Sequence, residues 1–180
     1  MLFRSPNPKT IGICTRVYPD GRKRENLLEK IAEKFLPDDF SFKIMGAGWE
    51  KYVEKLLKKG FQVEYTPEFN YDKYIDLIPS LDYYLYMGLD EGQMGFIDAL
   101  AAGVETIVPP IGYHLDALEG ISYPFTSEEE LITTLTNLAE KRRKLIKSVQ
   151  GWTWPDYAKK HLEIWQYLLD GKEKIGRAHV

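Results

Sequence analysis

The stretch Asp82–Val108, DYYLYMGLDEGQMGFIDALAAGVETIV, decides the fold. It opens on a short run rich in tyrosine and leucine, DYYLYM, that reads as a strand over 82–87. Gly88 to Gly95 then holds two acids and three glycines, which is loop chemistry. Gly95 to Ala102 reads as a helix, closed by Gly103 as a C-terminal stop. Glu105 to Val108 is a second strand, cut off by Pro109-Pro110. A strand, a helix and a strand in that order cannot form a hairpin. The two strands must run parallel through a right-handed crossover.

The same alternation extends both ways. Thr10–Val17, Phe40–Met45 and Phe61–Tyr65 read as further strands, and Ile121–Tyr123 as a short sixth. Between them, Asn26–Phe35 places Leu27, Leu28, Ile31 and Phe35 at helical spacing. Trp49–Lys59 does so with Tyr52, Val53, Leu56 and Leu57, and Tyr71–Ile78 is a short helix stopped by Pro79. Ser127 with Glu130, and Thr153 with Asp156, are capping boxes that open two later helices. The first carries Leu131, Ile132, Leu135, Leu138, Leu145 and Ile146; the second carries Tyr157, His161, Ile164, Trp165 and Leu168. The expected fold is a three-layer α/β/α Rossmann-like domain around a mainly parallel sheet of about six strands.

Composition narrows the functional classes. With 24 Lys and Arg against 27 Asp and Glu, the net charge is -3, which disfavours non-specific nucleic-acid binding. No apolar run approaches about eighteen residues, so no transmembrane helix is expected. The single cysteine, Cys14, excludes an internal disulfide and points to a reducing, cytoplasmic setting. His114, His161 and His179 are far apart in sequence, and no metal site is expected.

The ends read differently. Leu2-Phe3-Arg4-Ser5 and Ile175–Val180 resemble reading frames of a paired sequencing-adapter oligonucleotide. Residues 1–5 and 175–180 are therefore expected to be non-native, with a single domain over 6–174 that is a fragment of a longer protein.

In an open parallel sheet, ligands sit at the carboxyl ends of the strands. Two loops there carry chemistry. Arg16, Arg22, Lys23 and Arg24 gather at the carboxyl end of the first strand, a concentration of positive charge suited to a diphosphate leaving group. Asp90, Glu91, Gly92 and Gly95 follow the fourth strand, and Asp98 lies one turn into the next helix. The helix start offers free N–H groups to a phosphate, and Asp98 can accept hydrogen bonds from a ribose or sugar hydroxyl pair. A solvated basic loop and a tight turn ahead of a helix are the plain alternatives for each loop taken alone.

The run EGQMGFIDALAAGVETIVPPIG resembles the signature of family-4-type, GT-B-fold glycosyltransferases. That family carries two acids, commonly glutamates eight positions apart, around this helix start. The resemblance implies that Asp98, in place of the usual glutamate and one methylene shorter, holds the ribose. It implies Glu91 as the acid on the donor sugar, with Asp90, which has the separation of eight, as the alternative. Gln93, Met94 and Gly95 would give backbone groups to the diphosphate. Arg16 fits the family's arginine at the end of the first strand of this domain, and Lys23 its lysine before the next helix. Gly46 resembles the family's glycine turn after the second strand, and Gly112 a glycine that faces the donor. His114 in the same PPIGYHLD loop becomes a candidate ligand contact, and Tyr65, Pro67, Glu68 and Phe69 candidates to frame the base.

The resemblance spans about residues 10–170 and corresponds to the C-terminal half of a two-domain enzyme. It implies a UDP- or GDP-type sugar donor as substrate, no cofactor and no catalytic metal. It further implies transfer to a hydroxyl acceptor, mostly with retained configuration, and a separate N-terminal half that supplies the acceptor site and any membrane contact. A nucleotide-binding subunit of a two-chain transferase and a non-enzymatic regulatory module are the alternatives. A receiver-like module is disfavoured, because the first strand ends in Thr15-Arg16 and the third in Tyr65-Thr66, without the required acids. A dinucleotide oxidoreductase is disfavoured because no glycine fingerprint follows the first strand.

Overall fold

A computed structural model describes residues 7–117 and 119–171. The expectations for residues 1–5 and 175–180 lie outside the described residues. The chain divides into two compact units, whose described parts are residues 7–142 and 143–171.

The larger unit is built on a six-stranded, wholly parallel sheet in the order β3-β2-β1-β4-β5-β6. The strands are β1 (Lys9–Cys14), β2 (Phe40–Met45), β3 (Val63–Thr66), β4 (Tyr83–Leu85), β5 (Glu105–Val108) and β6 (Tyr123–Pro124). The helices are α1 (Leu27–Lys34), α2 (Glu50–Lys58), α3 (Tyr71–Leu77), α4 (Met94–Ala101) and α5 (Glu128–Ser148), the last running across the division at 142. Ile11 pairs with Phe42 of β2 on one side and Tyr83 of β4 on the other, which fixes β1 at the centre.

Alternation along β4 sorts the core into two layers. Tyr83, Leu85 and Met87 join a cluster with Ile11, Ile13, Phe42, Ile44 and the apolar faces of α1, α2 and α5. Tyr84 and Tyr86 point the other way, into a cluster with Leu77, Ile78, Phe96, Ala99 and Val108 under α3 and α4. Successive strand residues face opposite sides, so both faces of the sheet are covered and the expected three layers result. Leu57 departs from expectation: it is 53% exposed, because the buried stripe of α2 runs through Val53 and Leu56.

Four strands differ in extent from the sequence reading: β3 begins at Val63 rather than Phe61, β4 ends at Leu85 rather than Met87, and β1 and β6 differ for reasons visible in their bonding. β1 stops at Cys14 because the next residues bond to the loop after β2: the Thr15 carbonyl accepts from Trp49 Nε1 at 2.5 Å, and Val17 N donates to the Ala47 carbonyl at 2.8 Å. Arg16 therefore lies on a loop. β6 begins at Tyr123, since Ser122 is engaged by Thr106, whose N–H donates to Ser122 Oγ at 3.1 Å.

In the smaller unit, α6 (Trp154–Leu169) opens with the expected capping box. Thr153 accepts from Asp156 N, and Asp156 accepts from Thr153 N. Trp154, Tyr157, His161 and Trp165 form a ladder of ring contacts along it.

Candidate functional site

Strand order reverses direction between β1 and β4, which makes the carboxyl ends of these two strands the switch point where open parallel sheets bind ligands. The basic loop (residues 15–26) and the acidic loop (residues 86–93) are the two that flank this point, and they are knitted together. Leu89 N donates to the Arg22 carbonyl at 3.0 Å. Lys23 Nζ meets Asp90 Oδ2 at 2.6 Å and donates to Tyr86 Oη at 2.7 Å. Arg24 donates from Nε to the Met87 carbonyl and from Nη1 to that of Thr126. Gln93 Nε2 donates to the Cys14 carbonyl at the end of β1, while Gln93 Oε1 accepts from Tyr84.

The charged residues divide into buried and exposed sets. Lys23 is 7% exposed, and its charge is matched by Asp90. Burial pushes the Asp90 carboxyl up, but hydrogen bonds from Lys23 and Tyr86 and the Lys23 charge outweigh it, so the net shift is downward. Burial, and then the bond to Asp90, pushes the Tyr86 hydroxyl far up, so it stays a donor. Arg24 is an internal strap with its guanidinium over the Phe125 ring. Arg16 and Arg22 are exposed and share the Tyr18 ring, each guanidinium 4.8 Å from its centre, and Arg16 Nε donates to Tyr18 Oη at 2.6 Å. Arg22 also pairs with Asp20 at 2.6 Å. Tyr18 thus gathers two guanidinium groups on the loop after β1.

On the acidic side, Glu91 is exposed, while its neighbour Asp90 is committed to Lys23. Asp98 is exposed on α4 and accepts from Tyr74 Oη at 2.6 Å, leaving its other oxygen open. Met94 is exposed at the helix start and Gly95 is buried. By helix geometry the N–H groups of Met94 and Gly95 have no intrahelical acceptor.

Three of the candidate ligand contacts have roles inside the protein. Gly46, with φ 135°, lies so close to the loop after β1 that a Cβ would sit 2.2 Å from the Thr15 carbonyl oxygen. At Gly112, with φ 51°, a Cβ would sit 2.0 Å from the Glu91 carbonyl oxygen. Each glycine lets one loop backbone pack on another. His114 is fully buried with both ring nitrogens bonded within the protein: Nδ1 lies 3.0 Å from the Pro109 carbonyl, and Nε2 accepts from Gln93 N at 3.1 Å.

Of the base-framing candidates, Tyr65 donates to Glu50 at 2.8 Å, and Phe69 is 67% exposed with its ring 5.3 Å from that of Tyr74. Tyr74, Tyr86 and Tyr18 were not identifiable as site residues from sequence. For Tyr86 the signal is tyrosine in a strand run that leads into an acidic loop; Tyr74 on α3 and Tyr18 on the loop after β1 carry none. Among the described residues, no group of three or more His, Cys, Asp or Glu side chains is placed to hold a metal ion. No described helix is long and apolar enough to cross a membrane.

The fold is shared with solved GT-B glycosyltransferases. HepE of Anabaena, solved with UDP-glucose, superposes with a TM-score of 0.57 at 17% identity, covering 77% of this chain and 41% of its own. The catalytic domain of a cholesterol-α-glucosyltransferase from Helicobacter pylori gives 0.59 at 16% identity, over 88% of this chain and 99% of its own. A TarM mutant of S. aureus, solved with UDP, gives 0.56 at 16% identity, over 91% of this chain and 36% of its own. The chain thus spans about two fifths of HepE. No family model matches the sequence, and comparison with curated proteins finds no match. The six-stranded parallel α/β architecture is therefore a fold that this chain shares with those proteins.

Proposed function

We propose that the crevice between the loops after β1 and β4 holds a nucleoside diphosphate-sugar of UDP or GDP type. In an intact enzyme, this chain would be the donor-binding domain of a glycosyltransferase that passes the sugar to a hydroxyl acceptor. The observation that carries the reading is the direct contact of a basic loop with an acidic loop at the β1/β4 switch point, through Lys23–Asp90 and Leu89–Arg22. Solved proteins of the same fold contain UDP-glucose or UDP, which supports the choice of ligand.

The roles follow from exposure. Arg16 and the N–H groups of Met94 and Gly95 take the diphosphate, while Lys23, its charge matched by Asp90, holds the acidic loop beside them. That positive set stabilises the charge that develops as the bond from sugar to phosphate breaks. Glu91 is the acid left available for sugar hydroxyls, and the open oxygen of Asp98 accepts from the ribose. The acceptor, and any membrane surface, belongs to a further half of the enzyme, so the chain alone binds donor and turns over little. Retention of configuration and a cytoplasmic location are part of the same reading.

Calorimetric titration of UDP and GDP into the chain tests this. Arg16→Ala and Asp98→Ala should each weaken binding about 10- to 100-fold, the span of a lost charge-assisted hydrogen bond. Unchanged affinity in both variants defeats the assignment.

A further inference from the structure

We infer that His114 is a positioning residue that sets the backbone of the acidic loop through its Nδ1–H tautomer. The Pro109 carbonyl can only accept, so the proton of that 3.0 Å bond sits on Nδ1. Nε2 is then a lone-pair acceptor, and it takes the Gln93 N–H at 3.1 Å. One ring therefore ties the segment after β5 to Gln93, the residue that caps α4. The fit around it is close. Phe96, Tyr86 and Tyr113 ring centres lie 4.5, 5.5 and 5.5 Å from that of the imidazole, and a Cβ on Gly92 would come within 3.0 Å of its Cδ2.

The same short segment holds the loop at a second point, since Tyr113 N donates to the Glu91 carbonyl at 3.2 Å. Glu91 and Gln93 are thus pinned from the β5 side, while Lys23 pins Asp90 from the β1 side. A loop fixed on both flanks presents the Glu91 carboxylate and the first α4 N–H groups in one arrangement. His114 acts through that backbone and touches no ligand. Only the final link, to ligand affinity, rests on the donor-site reading above.

The test compares His114→Gln, whose amide can still accept from Gln93 N–H, with His114→Phe, which keeps a ring and loses both bonds. Hydrogen exchange at the Gln93 amide and calorimetric UDP affinity are both read on the full chain. The Phe substitution should speed exchange at Gln93 and weaken UDP about 10-fold or more, and the Gln substitution should restore both to within about threefold of the parent. Unchanged exchange and affinity in His114→Phe, or equal losses in the two variants, overturns the inference. Should the Phe variant fail to fold, the ¹⁵N spectrum of the unsubstituted histidine decides: the Nδ1–H pattern supports the inference and the Nε2–H pattern overturns it. If the parent chain binds no UDP, the donor reading fails, while exchange at Gln93 still judges His114.

Discussion

Replacing Lys23 by methionine should destabilise the protein through the carboxylate it leaves behind. Lys23 and Asp90 side chains are only 8% and 12% exposed, and their charges meet at 2.6 Å. Methionine matches the length of the lysine stem, so packing changes little, but Asp90 loses its countercharge and keeps the hydrogen bond from Tyr86. Breaking one side of a buried pair costs about 3–5 kcal/mol. Because Asp90 retains a donor and some access to water, a loss of about 3 kcal/mol is expected. Removing the stranded charge as well, in Lys23→Met with Asp90→Asn, should recover half of that loss or more. Urea unfolding followed by circular dichroism measures both. The pH dependence gives a separate check. The folded Asp90 carboxyl lies below its ordinary value of about 4, so its contribution is complete above that value and lost as pH falls through the lower, folded one. Without Lys23, burial dominates and the carboxyl moves upward. The deficit of the single variant should therefore narrow as the pH drops from 7 towards 4. A single variant within about 0.5 kcal/mol of the parent, or a deficit that ignores pH, refutes the buried-pair reasoning.

Other outcomes follow from particular contacts. Gly112→Ala places a side chain at φ 51° against the Glu91 carbonyl, and should cost about 2 kcal/mol or more in urea unfolding. Tyr74→Phe frees Asp98 of its 2.6 Å donor, and should change UDP affinity by about 3- to 10-fold in calorimetry while leaving the unfolding midpoint nearly unmoved. Burial, and then the nearby charge of Asp98, pushes the Cys14 thiol up to about 12, so iodoacetamide at pH 8 should leave native Cys14 unmodified by mass spectrometry and alkylate it in urea.

Much of the fold was legible because the signals are local. Strand runs, helix spacing and the stops at Gly103 and Pro109 all act within a few residues, and a βαβ unit dictates a parallel sheet. The site was legible only to the level of which loops matter. Its internal wiring joins residues far apart in sequence: Lys23 to Asp90, Gln93 to Cys14, Gly112 to Glu91, and Gly46 to Thr15. Nothing near Lys23 marks it as buried, and its basic neighbours Arg22 and Arg24 look equivalent until packing separates them. The structure makes Arg24 a strap, Lys23 a counterion and Arg22 a partner of Asp20. His114 likewise carries no sequence mark that tells a ligand contact from a buried post. That difference arises when Phe96, Tyr86 and Tyr113 close around the ring.

The most direct measurement is a two-dimensional NMR titration of the full chain with UDP. Nucleotide at the β1/β4 crevice should shift backbone amides of both loops together, around residues 15–18 and 91–95, with the Asp98 region following. Shifts confined to one loop, or clustered at the opposite end of the strands near Lys9 and Asp82, would contradict the account.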